Sequence, residues 1–135
     1  MPETQGDLIG LLREIKATHD LECVPKTGEV VCVLEEVNGF AGKAQPGSAM
    51  FRFGENFGFI KGVVQALGMK LVLVRPQVWQ SAFSLGTASR CASKSEWKNK
   101  LKAEAQRRFP NLKVTLKTAD ALLLREYARS IPEEL

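Results

Sequence analysis

Histidine is almost absent from this sequence. His19 is the only one, and it stands in a polar stretch. A Ser-His-Asp or Cys-His arrangement, or a histidine proton shuttle, therefore has little to build on. Cysteine is sparse too. Cys23, Cys32 and Cys91 are odd in number and form no CxxC pair, which speaks against a disulfide framework and against a cysteine zinc site. Such cysteine usage fits a reducing cytoplasm, and a cytoplasmic location is expected. No apolar run approaches the ~20 residues a membrane span needs. The longest, around Leu71 to Val74, is strand-sized. The opening MPETQGDLIG has neither a basic region nor a long apolar stretch, so it does not read as a secretory signal. No GxxxxGK[ST] phosphate loop occurs, and there is no internal repeat or low-complexity tract.

What is present is the balance of a folded domain. The 135 residues are 44% hydrophobic and 25% charged. That is one domain's worth of chain, long enough to bury a core. We expect a single domain over 1–135. The net charge of +4 conceals a strong asymmetry. Residues 1–36 carry −5, residues 37–88 carry +4, residues 89–125 carry +7, and residues 126–135 carry −2. The basic middle and later parts create a field that attracts polyanions, although a solvated helix face would have the same composition.

Periodicity supplies the elements. Leu8, Leu11, Leu12 and Ile15 form one apolar stripe, predicting a helix over 4–17, with Thr4 and Asp7 spaced as a capping box. Val30 to Val37 begins as a β-branched run, the pattern of a strand buried on both faces. The Gly-rich segment 38–48 reads as a loop. Ser48 is placed to cap a long helix ending at Gly68. Gly54, Gly58 and Gly62 fall on one face of that helix. Each costs about 1 kcal/mol against alanine, so close approach of another backbone is expected there. Met69 to Val74 reads as a second buried strand. Pro76 opens a short helix, and Ser93 or Ser95 caps a basic helix stopped by Pro110. Leu112 to Leu116 could form a short strand, and Thr118 caps a last helix. Strands separated by helices imply parallel pairing in an α/β fold.

In open α/β sheets, ligands gather beyond the carboxyl ends of the strands. Glu35 and Glu36 end the first strand, with side chains on opposite faces. Asp120 opens the last helix, where the dipole favours its charge. Each carboxylate is ordinary in its position. Together they could bind Mg²⁺ or Mn²⁺, hard cations that take oxygen ligands. Cys91, beside Arg90 and Lys94, has no evident base partner. Trp79 and Trp97 read as packing residues rather than base-stacking platforms.

Several blocks, in order, resemble a known family. They are VLEEV at Val33–Val37, SAMFRFG at Ser48–Gly54 with Phe57-Gly58, and VRPQVW at Val74–Trp79. The basic helix from Lys94 to Arg108-Phe109 and its proline follow, then ADALLL at Ala119–Leu124. This order is similar to the RuvC-like Holliday-junction resolvases of the RNase H-like nuclease superfamily. The resemblance implies an RNase H-like parallel-sheet core flanked by helices, amino-terminally truncated, since the family's first strand and its Asp have no counterpart here. It implies an Mg²⁺- (or Mn²⁺-) dependent endonuclease acting on branched or four-way-junction DNA, generally as a homodimer. Glu35 matches a strand-end metal ligand and Asp120 one at the start of the last helix. Lys117 stands where the family tends to have an Asp or His, and a lysine there would compete with a metal for the carboxylates. On the same reading Lys43, Arg52, Lys61, Arg90, Lys94 and Lys98 would contact phosphates, which positions DNA without reading its sequence. The strand edge left by the missing first strand would be covered by a second copy or a rearranged segment. Two other readings stand beside this one: a non-catalytic DNA-binding or interaction module that kept the fold, and a true start lying upstream.

Overall fold

The computed structural model describes residues 3–22, 30–37 and 47–130. Among these residues five helices and two strands run in the order α1 (Gln5–Glu22), β1 (Val31–Glu35), α2 (Gly47–Ala66), β2 (Lys70–Val74), α3 (Pro76–Ser81), α4 (Lys94–Arg108) and α5 (Ala119–Ser130), with a 3₁₀ turn at Ala88–Arg90. The architecture is mixed α/β, mostly helical, with one two-stranded parallel sheet. No helix among the described residues is long and apolar enough to cross a membrane. The chain gathers into two compact units, Met1–Cys32 with Val37–Val72, and Val33–Glu36 with Leu73–Leu135.

The first unit holds α1 and α2. Its helix ends follow local chemistry. Thr4 and Asp7 cap α1 reciprocally. The Asp7 amide donates to the Thr4 hydroxyl, and the Thr4 amide to Asp7 Oδ2, both at 3.1 Å. The helix runs to Glu22 rather than stopping near residue 17, because neither Gly nor Pro follows before Pro25. The expected stripe on α1 is poorly covered: Leu11 and Ile15 are exposed. Helix α2 starts at Gly47, which puts Ser48 inside the first turn instead of at the cap. Just past its end stands Gly68, whose φ of 75° lies in the left-handed region that glycine adopts most easily. The Gly68 amide donates to Gln65 O and the Met69 amide to Val64 O, both at 3.1 Å, which is a Schellman ending. Val64 and Met69, the apolar pair such an ending brings together, are the buried side chains among the described residues of this unit.

The glycine face of α2 differs from expectation. A Cβ at Gly54, Gly58 or Gly62 would meet nothing within 4 Å among the described residues. No backbone among the described residues approaches it.

The strands pair in parallel, with the Lys70 amide on Val30 O at 2.9 Å and the Glu36 amide on Val74 O at 2.8 Å. Neither strand is buried on both faces as its composition predicts. Val31 and Leu73 are exposed, and only Val74 is buried. In a two-stranded sheet each strand is an edge, so a β-branched run no longer implies burial on both sides. Among the described residues no rearranged segment pairs with the free edge of β1.

The second unit has the larger core. Helix α5 packs against α4 and α3. Trp97, Leu101 and Ala105 line one face of α4 at four-residue spacing, and Ala119 and Leu123 do the same on α5; all are buried. Full burial of side chains such as Leu101, Leu123 and Trp79 is worth roughly 1.5–3 kcal/mol each. Pro76 stands at the first turn of α3, and Arg75 before it is extended, as a residue preceding proline must be. Ser93 caps α4 by accepting from the Glu96 amide at 3.1 Å, while Glu96 Oε2 accepts from the Ala92 amide at 2.8 Å. Leu112 to Leu116 is not a strand. Thr115 and Thr118 cap each other there: the Thr115 amide donates to Thr118 Oγ1 at 3.0 Å and the Thr118 amide to Thr115 Oγ1 at 3.3 Å. Thr118 stands directly before Ala119, the first residue of α5, and this box takes the amides a strand would need.

Candidate functional site

All the candidate carboxylates fall in the second unit, which contains the carboxyl ends of both strands. Glu35 is the last residue of β1. Its Oε2 accepts a hydrogen bond from Trp79 Nε1 at 2.8 Å. Trp79 has no exposed surface, and the Phe83 ring meets it edge to face with centroids 6.4 Å apart. A buried indole must find an acceptor for its N–H, and Glu35 supplies it. Sequence reasoning placed Trp79 in the core but missed this bond. The two residues stand 44 positions apart, and nothing in the spacing pairs them. Glu36 takes a different partner, as alternation along a strand requires. Its Oε2 accepts from Arg75 Nε at 3.3 Å, and this pair is largely exposed.

Asp120 lies in the first turn of α5. Its Oδ2 accepts from Lys98 Nζ at 2.6 Å, across the contact between α4 and α5. Its Oδ1 is buried and has no hydrogen-bond partner among the described residues. The lysine that reaches this carboxylate is therefore Lys98, whereas Lys117 is exposed. The structure joins Glu35 to Trp79 and Asp120 to Lys98, and no direct bond links the two carboxylates.

The basic residues distribute over both units. Arg52 and Lys61 lie on α2 in the first; Arg52 is exposed, and the Lys61 ammonium sits 4.5 Å from the centroid of the Phe57 ring. Arg90, in the 3₁₀ turn, and Lys94 are exposed in the second unit, and Lys98 is half-buried one turn after Lys94. Lys43 lies outside the described residues. Arg107 and Arg108 are committed locally, both to Glu104, at 2.6 and 2.7 Å. The hydrogen bond from Arg107 holds the Glu104 carboxyl below its ordinary value, Arg108 adds to this, and the same bond raises Arg107. Burial pushes the Cys32 thiol up.

Oxygen donors of the right kind for a hard cation are present. Mg²⁺ is commonly held by one or two carboxylates together with substrate phosphates and water. The partnerless Asp120 oxygen fits that mode. A protein cage does not: no group of three or more His, Cys, Asp or Glu able to hold a metal occurs among the described residues. No protein-family model and no curated protein matches the chain.

Proposed function

We propose that this chain is an RNase H-like, resolvase-type domain that binds branched DNA, with Glu35 and Asp120 as two carboxylates of an Mg²⁺-dependent endonuclease site. The observation that carries the reading is Asp120, a carboxylate at a helix start with one buried, partnerless oxygen, in the same unit as the strand-end Glu35. A divalent ion bound there would activate water and offset charge on the phosphate under attack. The chain's own residues do the rest. Trp79 fixes the orientation of Glu35. Lys94 and Arg90 are exposed and available to hold phosphates beside α4, with Arg52 and Lys61 serving the same role from α2. Two copies would match the two-fold symmetry of a four-way junction.

The experiment is a binding and cleavage assay on a four-way junction and on linear duplex of equal length, with Mg²⁺. Preferential cutting of the junction, lost in Glu35→Gln and in Asp120→Asn, supports the reading. Binding should weaken with salt, by a slope of about −0.9 per phosphate contact. An affinity independent of salt would contradict the phosphate role.

One observation favours a second reading. Lys98 already neutralises Asp120, and a site so compensated suits a non-catalytic DNA-binding module. Junction binding without cutting, unchanged by Glu35→Gln, would establish that alternative.

A further inference from the structure

The ion pair between α4 and α5 joins the two halves of the proposed activity. Lys98 has two neighbours of its own kind on α4, Lys94 one turn before and Lys102 one turn after, so the three make a row at four-residue spacing. It is Lys98, the middle one, that reaches across to a carboxylate, 2.6 Å from Asp120 Oδ2. The pair is about one-third exposed, 37% for the Lys98 side chain and 32% for Asp120. A flexible four-carbon stem can move such an ammonium without unpacking the helix. The frame beneath is separate: Trp97, Leu101 and Ala105 are buried on another face of α4, as are Ala119 and Leu123 on α5. Asp120 meanwhile keeps one oxygen buried and unsatisfied. A carboxylate half-satisfied by a movable cation is a seat held for another cation, since an unpaired buried oxygen is costly.

We propose that Lys98 is an internal cation on Asp120 that gives way to a divalent ion when a DNA phosphate draws the ammonium off, so that one lysine couples DNA binding to metal uptake. The inference rests on the reading of Asp120 as a metal ligand. In the absence of DNA, Lys98 competes with metal. On DNA, Lys98 joins Lys94 and Lys102 along the phosphates and leaves the carboxylate open. By reciprocity of linkage, metal on Asp120 strengthens the hold of Lys98 on DNA.

The test uses the full chain and has two arms, neither needing turnover. In the first, Mn²⁺ is titrated into DNA-free protein and free Mn²⁺ is followed by electron paramagnetic resonance. Lys98→Met, which keeps the stem and removes the charge, should bind Mn²⁺ about fivefold more tightly than the unaltered chain, the worth of a partly exposed ion pair. The gain should vanish when Asp120→Asn is added. In the second arm, junction binding is measured in EDTA. Asp120→Asn frees Lys98, so it should tighten junction binding about fivefold more in the unaltered background than in Lys98→Met. Equal Mn²⁺ affinity with and without Lys98 overturns the exchange and leaves Asp120 as a ligand. Failure of both proteins to bind Mn²⁺ overturns the ligand reading and the exchange with it. The same gain from Asp120→Asn in both backgrounds overturns the coupling to DNA.

Discussion

The indole N–H of Trp79, a side chain with no exposed surface, donates to Glu35 Oε2 at 2.8 Å, across 44 positions of sequence. The bond serves two ends at once. It satisfies a buried donor, which the fold requires. It also ties the carboxylate at the end of β1 to the first turn and a half of α3, so that the residue proposed for chemistry is oriented by a residue of the core.

Trp79→Phe should separate these roles. Phenylalanine keeps an aromatic ring against Phe83 but cannot donate, and it leaves a small void. The expected loss of stability is about 2–3 kcal/mol, from the missing hydrogen bond and the cavity together. Urea unfolding measures it. Glu35→Gln is the counterpart, because its carbonyl oxygen can still accept from the indole. That variant should stay within about 1 kcal/mol of the unaltered chain while losing any junction cleavage. A large loss of stability in Glu35→Gln would mean that the charge itself, not merely an acceptor, holds Trp79 in place.

Which features were legible in the sequence follows from their range. The Thr4–Asp7 box, Pro76 and the Gly68 ending are all decided within six residues and form as read, and of the two serines offered as the cap of α4 it is Ser93 that serves. The misreading of Leu112 to Leu116 as a strand has a local cause as well. Threonine favours strands by shape but also caps helices through its hydroxyl, and at Thr115 the second tendency wins. The burial of β1 and β2 was overestimated because composition reports what a strand can bury, not how many neighbours it has. The site was legible only in part. Glu35 and Asp120 announce themselves by position, but their partners, Trp79 and Lys98, come from distant elements brought in by packing. No spacing rule names them.

Glu104 gives a pH-dependent prediction. Its folded-state value is lowered, first by the hydrogen bond from Arg107 and then by Arg108. A lowered carboxylate contributes stability that is present above its unfolded value, about 4.3, and is lost as pH falls through the folded one. Glu104→Gln should therefore be less stable than the unaltered chain at about pH 7, and the difference should shrink toward about pH 3. Urea midpoints at the two pH values test this. A difference that stays constant with pH would assign the effect to packing of α4 rather than to charge.

The same substitution should have opposite signs at two glycines of the first unit. Gly58 is helical and exposed, and a Cβ there meets nothing within 4 Å among the described residues. Gly58→Ala should stabilise the chain by about 0.5–1 kcal/mol, because it removes backbone freedom from the unfolded state at no cost in the folded one. Gly68 also has open space around it, but its φ is 75°. There Gly68→Ala forces an L side chain into the left-handed region and should destabilise by about 1 kcal/mol. Thermal unfolding of the two variants side by side separates space from backbone conformation. The experiment also bears on assembly. If a second copy packs backbone to backbone against the Gly54–Gly58–Gly62 face, Gly58→Ala will clash in the dimer and weaken association. Sedimentation at several protein concentrations would then show a variant monomer of raised stability beside an unaltered dimer.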